Sequence, residues 1–149
     1  MSDELGDLYQ EVILDHGKRP RNFGPLDGAT HHAEGLNPLC GDHLWVDARL
    51  DGGRVAEVRF RGEGCAISRA SASVMTGLVK GKTPAEVEAM FDTFHALVTE
   101  GPAGRDLDAL GKLAVFGGVY EFPSRVKCAS LGWHTLRAAL KGAGTASTE

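Results

Sequence analysis

The sequence predicts an α+β domain, a small antiparallel sheet of about three strands with helices packed on one side. Three observations carry this expectation. Two runs rich in Val, Leu, Trp and Phe, His43 to Leu50 and Arg54 to Phe60, flank Asp51-Gly52-Gly53, where glycine accepts the positive φ of a tight hairpin turn. Thr83-Pro84-Ala85-Glu86 reads as a capping box with proline at the first helical position. The elements run helix, strands, then helices, an order that gathers the helices against one face of a sheet.

The first helix carries Leu5, Leu8, Val12 and Ile13 at helical spacing, begins with acidic residues and stops near Gly17. The prolines and glycines of Lys18 to Gly28 then make an irregular connection. A third strand is expected around Thr30 to Glu34. In the central hairpin Leu44, Val46 and Ala48 share one face. After Gly62-Glu63-Gly64-Cys65, the stretch with Ile67, Val74 and Leu78 reads as a helix closed by Gly81. The capped helix from Thr83 presents Val87, Met90, Phe91, Phe94 and Leu97 on one face. Leu107, Leu110 and Leu113 suggest a shorter helix ahead of Gly117-Gly118, and a last helix from Cys128 turns Trp133, Leu136 and Leu140 inward. The domain is expected to occupy residues 1–141, with 142–149 as a flexible polar tail.

Composition narrows the function. A chain of 149 residues, 42% hydrophobic and 24% charged, suits one ordinary folded domain. Net charge is −4, and the basic run Lys18-Arg19-Pro20-Arg21 is short, so nucleic acid is not expected as a partner. No basic leader precedes an apolar run and no apolar stretch reaches membrane-spanning length, which points to the cytoplasm and to no membrane partner.

Three cysteines, Cys40, Cys65 and Cys128, form an odd set without a disulfide-framework or CxxC spacing. Cys65 follows a Gly-Glu-Gly loop and Cys128 a proline-containing loop, positions read as helix N-termini, where free amides favour the thiolate. Cys40 lies in a Pro-Leu-Cys-Gly turn beside Asp42. Together these residues offer three sulfurs and one oxygen, the ligand number and type of tetrahedral zinc. From spacing alone, metal ligation and incidental buried thiols stand about even.

The histidines are weaker candidates. His31 and His32 are adjacent on an extended chain and point to opposite faces. His43, one residue past Asp42, is expected to point away or to support the site from behind. His16, His95 and His134 lie on helices without a ligand partner one turn on, which favours solvated or hydrogen-bonded roles.

The motifs Leu8 to Gly24, Asn-Pro-Leu-Cys-Gly-Asp at 37–42, Gly62 to Ser68, and Phe122 to Trp133 resemble those of the U-type iron-sulfur scaffold family (IscU/NifU N-terminal-like). The resemblance spans about Leu8 to Leu140 and is greater to the SufU branch than to the IscU branch. Lys127 stands where IscU patterns have a histidine. The segment between Cys65 and Cys128 is longer, and Phe122-Pro-Ser-Arg-Val-Lys127 replaces the chaperone-recognition run.

The resemblance implies a zinc-dependent sulfurtransferase, co-substrate and activator of a SufS-type cysteine desulfurase, delivering sulfur to a downstream iron-sulfur assembly scaffold. Cys40, Asp42, Cys65 and Cys128 would bind Zn2+, and Cys40 would be the acceptor. The alternative is a scaffold on which a [2Fe-2S] cluster forms at the same ligands. Arg125 and Lys127, near Cys128 in sequence, either stabilise thiolate or persulfide charge or stand as solvated cations.

Overall fold

The structure, a computed structural model, describes residues 3–147, and the side chains among them other than those of residues 3–6 and Ala109. Helix α1 (Asp3–Lys18) leads to strands β1 (His31–Asn37), β2 (Asp42–Asp51) and β3 (Arg54–Glu63). Helices α2 (Ala66–Val79) and α3 (Pro84–Glu100) follow, then a 3₁₀ stretch Asp108–Glu121, helix α4 (Pro123–Leu140) and strand β4 (Thr145–Ser147). The expected Leu5 contribution to the apolar face of α1 lies outside the described side chains.

The sheet has four strands in the order β3-β2-β1-β4. The three expected strands pair antiparallel, and Gly52 and Gly53 carry φ of 61° and 80° in the hairpin turn. The fourth strand was not expected. Thr145–Ser147, placed by the sequence reading in a polar tail, pairs parallel with Glu34 to Leu36 of β1. No local pattern announces it, because a three-residue strand of Thr, Ala and Ser is created by the free edge of β1.

Alternation on β2 is as read: Leu44, Val46 and Ala48 are each fully buried. They face Phe60 and Val58 of β3 and the helices α2 and α4, while Trp45, Asp47 and Arg61 occupy the solvent side. The core continues through Phe91, Phe94 and Leu97 of α3 to Phe116, Trp133 and Leu136. The Thr83 box forms as expected, with Glu86 N donating to Thr83 Oγ1 at 3.2 Å and Thr83 N to Glu86 Oε1 at 3.0 Å. The expected short helix before Gly117-Gly118 is instead 3₁₀, broken at Gly111 (φ 55°, ψ −130°) and running through the glycine pair.

Helix α1 is fastened to α2 through a buried polar contact. His16 Nδ1 meets Ser73 Oγ at 2.7 Å, and Arg21 N donates to the same oxygen at 2.7 Å. Asn22 Nδ2 donates to Thr76 Oγ1 at 3.0 Å, and Phe23 sets its ring edge-to-face on Phe60. The Pro20-to-Gly24 loop therefore seals one end of the core beside β3.

Candidate metal centre

Strands β1 and β2 end their ladder at the pair Asn37 and Asp42, leaving Pro38-Leu39-Cys40-Gly41 as the connecting loop. Gly41 closes it, with φ of 74° and its N–H donating to Asn37 O at 2.9 Å, a conformation that disfavours a side chain. Directly paired residues share a face. Asn37 and Asp42 consequently both turn inward and are 0% and 1% exposed. Cys40 stands exposed on the loop. His43 points to the opposite face, as expected, its Nε2 2.6 Å from Glu34 Oε2 and its ring stacked on Trp45.

Cys65 is the residue that caps the start of α2, the position expected for it. Its N–H donates to Asp42 Oδ1 at 2.8 Å, and its sulfur lies 3.8 Å from Ser68 Oγ. The approach depends on Gly64, where a Cβ would stand 2.5 Å from Ser68 Oγ and 2.9 Å from Asp42 Oδ1. Cys128 departs from expectation. Helix α4 begins at Pro123, so Cys128 is buried in the second turn rather than at the N-terminus. Proline is suited to the first helical position, and the residues that the sequence suggested as a loop continue the helix.

The fold brings three of the four expected residues together among the described ones. Ligand atoms of Cys40, Asp42 and Cys128 lie within 4.8 Å of one another. Cys65 stands outside that trio but shares a hydrogen bond with Cys128. This bond pulls the Cys65 thiol down to about 6, against burial, with help from Ser68. The same bond, then burial and the neighbouring Cys40 and Asp42, pushes the Cys128 thiol up. Crowded thiols so placed disfavour carrying two negative charges at once, because like charges repel. A divalent cation removes that conflict, and three sulfurs with one carboxylate fit zinc in number and chemistry.

Arg125 is exposed, with its guanidinium 4.3 Å above the Phe122 ring, and Lys127 is half-buried one residue before Cys128. Tyr9 enters the same region unannounced. Its hydroxyl is buried with no hydrogen-bond partner among the described residues, and burial, opposed by Arg125 and reinforced by Cys65 and Cys128, raises its pKa. Asn37, Ser68 and Gly64 were likewise not singled out from sequence. A four-residue hairpin loop would have flagged Asn37, since it forces that residue opposite Asp42. His16 is buried against Ser73, while His95 and His134 meet edge-to-face beside Phe91.

The NifU-like N-terminal domain family matches residues 8–141. The chain is 42% identical over 132 residues to the zinc-dependent sulfurtransferase SufU of Bacillus subtilis (strain 168), covering 89% of this chain and 88% of that protein. It is 39% identical over 145 residues to the iron-sulfur cluster assembly scaffold protein IscU of Streptococcus pyogenes serotype M1, covering 96% and 89% respectively. Among solved structures it resembles a proposed iron-sulfur cluster assembly scaffold protein for the SUF system from Fervidobacterium islandicum AW-1. That match has a TM-score of 0.82 and 36% identity, over 90% of this chain and 97% of the other.

Proposed function

Because the chain belongs to the NifU-like N-terminal domain family, a family of iron-sulfur cluster assembly proteins, we propose that it is a zinc-dependent sulfurtransferase. In this reading it accepts persulfide sulfur from a SufS-type cysteine desulfurase and delivers it to a downstream assembly scaffold. The observation that carries the reading is the asymmetry of the site: an exposed Cys40 on a glycine-closed loop, against a buried Asp42 and Cys128. The 42% identity to a zinc-dependent sulfurtransferase supports it.

Cys40, Asp42, Cys65 and Cys128 would hold the zinc, which when bound keeps the thiols ionised and shields their charges from one another. Cys40 is the nucleophile. Its thiolate attacks the outer sulfur of the donor's persulfide, the donor's S–S bond breaks, and the donor cysteine leaves as a thiolate. The transferred sulfur remains on Cys40 as a new persulfide, without net oxidation or reduction. Cys65 and Cys128, built into α2 and α4, keep their places while the loop sulfur moves. Arg125 and Lys127 supply positive charge on the α4 side of the site, which favours an anionic sulfur there.

Two measurements test the reading together. Protein as isolated should hold about one zinc per chain. It should also raise the turnover of a SufS-type desulfurase, and Cys40→Ala should abolish that rise. Undiminished stimulation by Cys40→Ala refutes the acceptor role. The second reading, a scaffold for a [2Fe-2S] cluster, draws on the 39% identity to a scaffold protein over 96% of the chain. Stable visible absorption with stoichiometric iron and sulfide after anaerobic reconstitution would favour it.

A further inference from the structure

Asn37 has chemistry that the proposed sulfur transfer leaves unused. It is fully buried at the end of β1, and its Nδ2 lies 3.1 Å from Asp42 Oδ2 and 3.5 Å from Cys128 Sγ. One amide nitrogen has two hydrogens, one for each of these acceptors. Asn37 Oδ1 is buried and has no hydrogen-bond partner among the described residues. Turned the other way, the amide would set that oxygen against a carboxylate oxygen and a sulfur, acceptor against acceptor. The fold therefore tolerates an orphaned oxygen in order to keep the NH₂ group on the site.

This divides the four site residues unequally. Asp42 has both oxygens engaged, Oδ1 by Cys65 N and Oδ2 by Asn37. Cys128 receives the Asn37 amide, and Cys65 rests against Ser68. Among the described residues no backbone amide or polar side chain other than the neighbouring site residues anchors the sulfur of Cys40. We propose that Asn37 is a positioning residue that clamps Asp42 and Cys128 together, so that Cys40 is the one sulfur released for reaction. The proposal rests on the zinc reading above. Groups held by N–H donors keep their direction when a neighbouring ligand departs. Asn37 itself does not touch the transferred sulfur.

The test requires no desulfurase. Zinc-loaded protein is treated with limiting iodoacetamide, and each cysteine is followed by peptide mass spectrometry. Wild type should be alkylated first at Cys40 and last at Cys128. Asn37→Ala should lose about 10- to 100-fold in zinc affinity by chelator competition, and its preference for Cys40 over Cys128 should narrow by a similar factor. Asn37→Asp, which keeps the shape but removes the donors and adds charge, should lose more. A folded Asn37→Ala that keeps both affinity and alkylation order overturns the proposal, even if it melts earlier, and leaves the zinc reading standing. Wild type that binds no zinc overturns both. Should the variants fail to fold, wild type loaded with cadmium-113 decides. Scalar coupling from cadmium to the Asn37 side-chain amide protons is expected through Cys128 sulfur. Its absence, with cysteine couplings present, rejects the clamp.

Discussion

Gly64→Ala is the sharpest probe of how the site is assembled, because it adds one methyl group and changes no charge. The new Cβ would lie 2.5 Å from Ser68 Oγ and 2.9 Å from Asp42 Oδ1. To restore ordinary contact, Ser68 Oγ must retreat by about one ångström and Asp42 Oδ1 by about half that. Asp42 then lengthens its bond from Cys65 N, now 2.8 Å, and Ser68 gives up its bond to Cys65 O, now 3.0 Å. A hydrogen bond to a charged group contributes about 1.5–3 kcal/mol and a neutral one about 1 kcal/mol. Stiffening of the unfolded chain by alanine returns about 0.4–1 kcal/mol. The net expectation for metal-free protein is a loss of about 2 kcal/mol, or roughly 6 °C in Tm at this chain length. Denaturant unfolding of metal-free protein gives the first quantity, and chelator competition the accompanying fall in zinc affinity, about tenfold or more. Ser68→Ala in the same chain removes the nearer obstacle and should recover part of the loss. If Gly64→Ala unfolds at the wild-type midpoint and holds zinc equally well, the argument that a missing Cβ positions Asp42 is wrong.

Three further outcomes follow from the same structure. Asp42→Ala should retain more zinc than Cys65→Ala, since a carboxylate oxygen is the harder ligand in a thiolate-rich set; equal zinc content in the two purified variants contradicts this. Ser73→Ala strips His16 Nδ1 and Arg21 N of their common partner and should destabilise by about 2–3 kcal/mol, read from the midpoint of denaturant unfolding; a shift within error would mean that the contact contributes nothing. Burial, with Arg137 and His95 adding to it, holds His134 down to about 4 from 6.5. Below pH 6.5 the unfolded chain takes up a proton that the folded one refuses, so this contribution to stability is present above 6.5 and is lost as pH falls toward 4. At about 1.4 kcal/mol per unit the loss is at most roughly 3 kcal/mol. His134→Gln should flatten the stability profile over that range, and an unchanged slope would remove His134 as its source.

Much of the architecture was legible because its causes are local. The Asp51-Gly52-Gly53 turn, the Thr83 cap and the alternation of Leu44, Val46 and Ala48 depend on near neighbours along the chain, and each appears where the residues put it. The extent of α4 was not legible. Pro123 marks a helix start as readily as a loop, and α4 runs from it through Ser124 to Lys127 before its buried stretch begins at Cys128.

The cysteines and Asp42 announced their chemistry by type and order, since sulfur and carboxylate carry the same donor properties wherever they stand. Their convergence, and the part played by Asn37, were decided only by the tertiary structure. An amide is an unremarked polar side chain until the β1–β2 register sets it opposite Asp42 and the packing of α4 on β1 brings Cys128, 91 positions away, to its second hydrogen. β4 belongs to the same class, a strand that exists because β1 offers it an edge. Backbone propensity acts over a few residues, whereas a hydrogen bond between distant segments requires the whole fold to hold both ends in place.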